Sequence, residues 1–96
     1  MKITRKKNKT GHTLSCDGEL TIYTVAAAKK VLLGNLDEAV ESVALDLAGV
    51  TKFDTAGLQL LLFTRQIMAE CNKHFYVKNS NEHVDSVFNA FNLTKL

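Results

Sequence analysis

Apolar and polar positions along this chain switch between two periods, and the switches mark its elements. Residues Lys2 to Lys7 alternate weakly, as an edge strand does, and Lys9-Thr10-Gly11 reads as a turn. From His12 to Asp17 the alternation is clean, with Leu14 and Cys16 on one face of a second strand. Gly18-Glu19-Leu20 reads as a break, and Thr21-Ile22-Tyr23 opens a new element. Thr24 stands at a helix N-cap position, and the Ala- and Lys-containing run after it favours helix from Val25. Val25, Ala28, Val31, Leu32 and Leu36 form its stripe at the helical period. Gly34 and Asn35 weaken its end, and Asp37, Glu38 and Glu41 read as a solvated connection.

Ser42 to Leu47 is short and nearly all apolar, as a strand buried on both faces is, and Ala48 to Phe53 reads as the loop after it. A long helix is expected from about Ala56 to Asn72. Lys73-His74 turns the chain into a strand, Phe75 to Lys78. Asn79-Ser80-Asn81 caps a last helix, Glu82 to Asn92, striped by Val84, Val87, Phe88 and Phe91. The order ββ-α-β-α-β-α implies parallel crossovers and a small mixed sheet with helices on one face or both.

Composition narrows the function classes. The chain has 96 residues, 46% of them hydrophobic, which is enough for one domain over residues 1–96 with its own core. A net charge of +2 is too balanced to argue for nucleic acid or membrane. The basic cluster Lys2, Arg5, Lys6, Lys7 and Lys9 reads as a solvated first strand and turn. Cys16 and Cys71 lack metal-ligand spacing and read as two reduced, packed thiols. No apolar segment approaches a membrane span, and the charged N-terminus has no secretory h-region, so a cytoplasmic protein is expected. His12, His74 and His83 are scattered without spaced partners, and no glycine-rich phosphate loop is present, so neither an enzyme, a metal site nor a cofactor is expected.

The chemistry concentrates at Asp54-Thr55-Ala56-Gly57-Leu58, where a helix begins with an acid, a hydroxyl and a glycine. A helix N-terminus leaves four N–H groups unpaired and carries partial positive charge, so it can handle an anion or a phosphoryl group. Either Asp54 or Thr55 can cap it, and capping alone accounts for the pair. Gly57 costs about 1 kcal/mol against alanine in a helix, which points to close approach by another backbone or by a partner. Further along, Leu58, Leu61, Leu62 and Ala69 share one arc with Arg65, and Leu60, Phe63, Ile67 and Cys71 share the opposite arc. Two apolar arcs fit a helix packed between neighbours, or one that leaves surface for a partner.

Leu45-Asp46-Leu47-Ala48-Gly49-Val50 followed by Phe53-Asp54-Thr55-Ala56-Gly57-Leu58 resembles the signature of the STAS domain family (sulfate transporter and anti-sigma factor antagonist). The element order extends the resemblance over essentially the whole chain and implies an α/β fold, a small mixed sheet with about three helices. It also implies a phosphorylation switch at the hydroxyl residue after the Asp, here Thr55. Family antagonists usually carry Ser there, often followed by a second hydroxyl; Ala56 leaves Thr55 as the single candidate. The implied partner is a switch kinase or anti-sigma factor, docking on Asp54, Thr55, Ala56, Gly57, Leu58 and Leu61. An alternative implied by the family is an accessory subunit of a lipid-transporting ABC transporter, holding its ATPase subunit with the same corner.

Overall fold

The computed structural model describes residues 1–9, 11–34 and 40–93. Thr10, Asn35, Leu36, Asp37 and Glu38, to which turn, stripe and connection roles were assigned above, lie outside them. The described residues form β1 (Lys2–Lys7), β2 (Gly11–Leu20), α1 (Val25–Leu33), β3 (Ser42–Phe53), α2 (Thr55–Glu70), β4 (His74–Asn79) and α3 (Glu82–Ala90). The sheet order is β1-β2-β3-β4, with β1 antiparallel to β2 and the other neighbours parallel. This is the small mixed sheet with three helices that the element order implied.

Register decides which side chains meet. His12, Val43 and Phe75 lie side by side across the three parallel strands, and so do Leu14, Leu45 and Val77. Because strand side chains alternate, these rows and Cys16 and Leu47 point to one face. Leu14, Cys16, Val43, Leu45, Leu47 and Phe75 join Ala28 and Leu32 of α1, Leu58, Leu61 and Met68 of α2, and Val84 and Phe88 of α3 in a single core, with Val77 packed against it. All three helices therefore cover one face of the sheet. The other face carries Lys2, Thr4 and Lys6 of β1, Thr13, Ser15 and Asp17 of β2, and His74, Tyr76 and Lys78 of β4. The expectation that β3 is buried on both faces is thus corrected. Ala44 is buried between its register neighbours Thr13 and Tyr76, but Asp46 on the same face is half-exposed and accepts from Asn79 Nδ2 at 3.1 Å.

Two boundaries move for one reason. Gly18-Glu19-Leu20 continues β2 instead of breaking it, and Ala48 to Phe53 continues β3 instead of forming a loop. The two stretches pair with each other, Asp17 with Gly49, Glu19 with Lys52 and Leu20 with Phe53, across two register shifts. Glycine and polar residues read locally as breakers; mutual backbone pairing and β-bulges accommodate them here, with Gly18 at φ 107°.

The helix ends have identifiable chemistry. Thr24 is the N-cap of α1, yet its hydroxyl makes no cap bond. It accepts from Thr21 N–H at 3.0 Å and donates to the Glu19 carbonyl at 2.8 Å, closing the turn before the helix instead. Val31, expected in the buried stripe of α1, is exposed. Helix α2 stops at Glu70, short of Asn72, and α3 stops at Ala90, short of Asn92. Asn72 and Asn92 adopt φ of 60° and 55° and close matching Schellman turns, with Lys73 N–H donating to Met68 and Leu93 N–H to Phe88. Cys16 is buried, but Cys71, expected to be packed, is exposed at the C-cap of α2; both thiols are free.

Candidate functional site

Where β3 ends, the chain enters α2 with no connecting loop beyond Asp54. Asp54 is the N-cap, in extended backbone conformation, and both of its oxygens are engaged. Oδ1 accepts from the N–H groups of Ala56 (2.9 Å) and Gly57 (3.1 Å), and Oδ2 accepts from the N–H of Ile22 at 3.1 Å. One carboxylate thus caps α2 and ties it to the turn that leads into α1. The sequence left the cap to either Asp54 or Thr55, and it is Asp54; the bond to Ile22, 32 positions away in sequence, had no local signal.

Gly57 is buried, and a Cβ there would stand 2.6 Å from the Leu20 carbonyl oxygen and 2.8 Å from Cε1 of Phe53. The close approach inferred from this glycine is therefore made by the protein's own β2 end, not by a partner. Leu58 and Leu61, expected in the docking surface, are 4% and 0% exposed and belong to the core. They brace the corner from beneath and cannot reach a second protein. Thr55 is exposed and Ala56 half-exposed.

The two arcs assigned to α2 resolve as a helix packed between neighbours, although the arcs do not name its most buried positions. Its most buried positions are Leu61, Thr64 and Met68, and the last two were assigned to neither arc. Thr64 fits in the core because its hydroxyl donates to the Leu60 carbonyl at 2.7 Å, one turn back. Helix α2 packs between α1 and α3, and on the α1 side Phe63 stays 41% exposed, with the Lys29 ammonium 4.7 Å from its ring centre.

Sequence reasoning missed the residues that dominate the open surface here. Ile22, held next to the head of α2 by the Asp54 bond, is 64% exposed, and Tyr23, 88% exposed, lies on the other side of α1 with Met1, Ile3 and Val31. Their signal was an apolar pair between Thr21 and Thr24 that fitted no period. On the opposite flank of Asp54 lies a cleft of about 560 Å³ lined by Thr21, Lys52, Phe53, Glu82 and His83, where both signs of charge are mixed. Among the described residues no three His, Cys, Asp or Glu side chains are grouped to hold a metal ion, and no helix is long and apolar enough to cross a membrane.

A family model described as "Mlab, STAS domain" matches residues 3–96. The chain belongs to the STAS domain family. An anti-sigma-B factor antagonist of Staphylococcus epidermidis is 30% identical over 79 residues, covering 82% of this chain and 73% of that protein. Two solved structures share the STAS fold at low identity. The anti-sigma factor antagonist SpoIIAA in its unphosphorylated form has a TM-score of 0.77 at 17% identity, over 96% of this chain and 82% of that one. An anti-sigma factor antagonist from Mycobacterium paratuberculosis has a TM-score of 0.81 at 15% identity, over 95% and 77%. Within that fold, the Asp-Thr-Ala-Gly-Leu segment occupies the junction of β3 and α2.

Proposed function

We propose that this STAS protein is a regulatory docking module of the anti-sigma factor antagonist type. It binds a switch kinase or anti-sigma factor through the corner formed by Thr55, Ala56 and Ile22, and phosphorylation of Thr55 releases it. The observation that carries this reading is the exposure of Thr55 at the head of α2, beside the exposed apolar side chain of Ile22. Similarity to proteins named as anti-sigma factor antagonists supports it. Asp54, its carboxylate held by three N–H groups, positions the corner and takes no part in chemistry.

The switch follows from electrostatics. Transfer of the γ-phosphoryl group of ATP to Thr55 Oγ1, with loss of the hydroxyl proton and departure of ADP, adds about −1.5 to −2 charges. The N–H groups of Ala56 and Gly57 are already bonded to Asp54, so they cannot neutralise the newcomer. The phosphate stays hydrated, next to a carboxylate, at a surface that must lose water to bind. A penalty of about 3 kcal/mol weakens binding more than a hundredfold. The fold persists, because Thr55 is exposed and contributes nothing to the core.

The test is incubation with a candidate partner kinase and ATP, followed by mass spectrometry of the Thr55 peptide, and binding of Thr55→Val and Thr55→Glu variants. One phosphoryl group on Thr55, retained binding by Thr55→Val and a loss of about a hundredfold by Thr55→Glu are expected. Thr55→Glu binding as tightly as wild type overturns the switch. Binding of the same corner to an ABC-transporter ATPase, and to no kinase, assigns the module to the alternative partner.

A further inference from the structure

Beside the Thr55 corner a shallow apolar groove opens on the outer side of the α1–α2 seam and continues along the outer face of α1. Its near stretch is lined by Ile22, Ala26, Lys29, Ala56, Gln59 and Phe63, among others, and its far stretch by Ala26, Lys29, Lys30, Leu33 and Gly34. The two share Ala26 and Lys29. Helix α1, nine residues long, rises about 13 Å, so the groove has room for two to three turns of a second helix. Its charged lining residues are Lys29 and Lys30; among the described residues no carboxylate lines either stretch.

We propose that this groove takes an amphipathic helix of the docking partner, apolar on the inserted side and flanked by carboxylates. The proposal deepens the docking reading above and rests on it. An alanine floor, at Ala26 and Ala56, lets a partner helix approach closely, while Phe63 and Ile22 wall the groove and offer apolar area. Lys29 sits over the Phe63 ring at 4.7 Å, so its ammonium is held at the groove wall, where a partner carboxylate finds it. A second copy of this chain is a poor occupant, because the apolar stripes of α2 and α3 are already committed to the core.

The probe is a fluorescent, side-chain-stapled helical peptide of about three turns with a Leu stripe flanked by Glu. Its twin carries Lys at every Glu. Anisotropy titrations at low salt are expected to give the Glu peptide at least tenfold tighter binding than the twin, with amide shifts in ¹H–¹⁵N spectra confined to Ile22 through Gly34 and Ala56 through Phe63. The double variant Lys29→Glu, Lys30→Glu reverses that preference. Ala26→Gln fills the groove while keeping its charge, and weakens the Glu peptide at least tenfold. These three positions are exposed, so the variants fold. Equal affinity for the two peptides overturns the proposal, as do shifts elsewhere on the molecule. Binding to phosphatidylglycerol-containing vesicles with no peptide binding, or groove shifts that depend on protein concentration alone, assigns the groove to a membrane or a second copy and likewise overturns it. Failure here leaves the Thr55 switch standing, since that is read with Thr55→Glu against the whole partner.

Discussion

Asp54 offers the sharpest test of how this corner is built, because two substitutions separate its two tasks. In Asp54→Ala the N–H groups of Ala56 and Gly57 lose their acceptor, and so does Ile22. Loss of an N-cap costs about 0.5–2 kcal/mol. The Ile22 bond is exposed, so water replaces it and it adds only about 0.5 kcal/mol. The sum, about 2 kcal/mol, lowers the melting temperature by roughly 8–16 °C in a domain of this size. Asp54→Asn behaves differently. Its amide oxygen can serve Ala56 and Gly57, and Asn caps as well as Asp. Its NH₂ then faces the Ile22 N–H, donor against donor, and that bond is lost. Stability should fall by about 0.5 kcal/mol only, while the Ile22–Tyr23 turn is freed. Urea denaturation read by circular dichroism measures the first quantity, and hydrogen exchange of the Ile22 amide the second. Equal destabilisation by the two variants, or an Ile22 amide as protected in Asp54→Asn as in wild type, refutes the account of one carboxylate joining two elements.

Other sites give simpler outcomes. Gly57→Ala drives a methyl group against the Leu20 carbonyl and the Phe53 ring, and overpacking of this kind costs about 1–3 kcal/mol, measurable by the same denaturation. Asn81 caps α3 by accepting from Val84 N–H at 3.2 Å and donates to the carbonyls of Ala48 (3.1 Å) and Val50 (2.8 Å). Asn81→Ala removes both the cap and the tie to β3 and should cost about 1–3 kcal/mol, with exchange quickening first in α3. Burial, with the Asp17 and then the Asp46 carboxylate adding to it, pushes the Cys16 thiol up from 9.0 to about 12. Exposed Cys71 should therefore react with a thiol-specific chromogenic disulfide at pH 8 in the native state, and Cys16 only after denaturant is added. Because the folded state holds the Cys16 proton more tightly than the unfolded chain, this group leaves stability unchanged below pH 9 and erodes it between pH 9 and about 12. Cys16→Ala should flatten that alkaline decline in urea midpoints.

Period and cap chemistry along the chain determined the element order, the head of α2 and its acid–hydroxyl pair, because helix starts and alternating strands are local physics. Asp54 or Thr55 had to cap α2, and Asn72 and Asn92 were placed at helix ends. Local physics misjudged Gly18 to Leu20 and Ala48 to Phe53, whose polar and glycine-containing stretches became strand only because each had the other to pair with. It also could not orient α2. Leu58 and Leu61 went inward, and Phe63 outward, because the arc a helix buries depends on where its neighbours sit. Tertiary structure alone decided that a carboxylate at the head of α2 reaches the Ile22 amide, leaving Ile22 exposed beside the Thr55 corner. Contacts between residues 32 positions apart leave no period behind, so the working surface of this protein emerged only when the chain was folded.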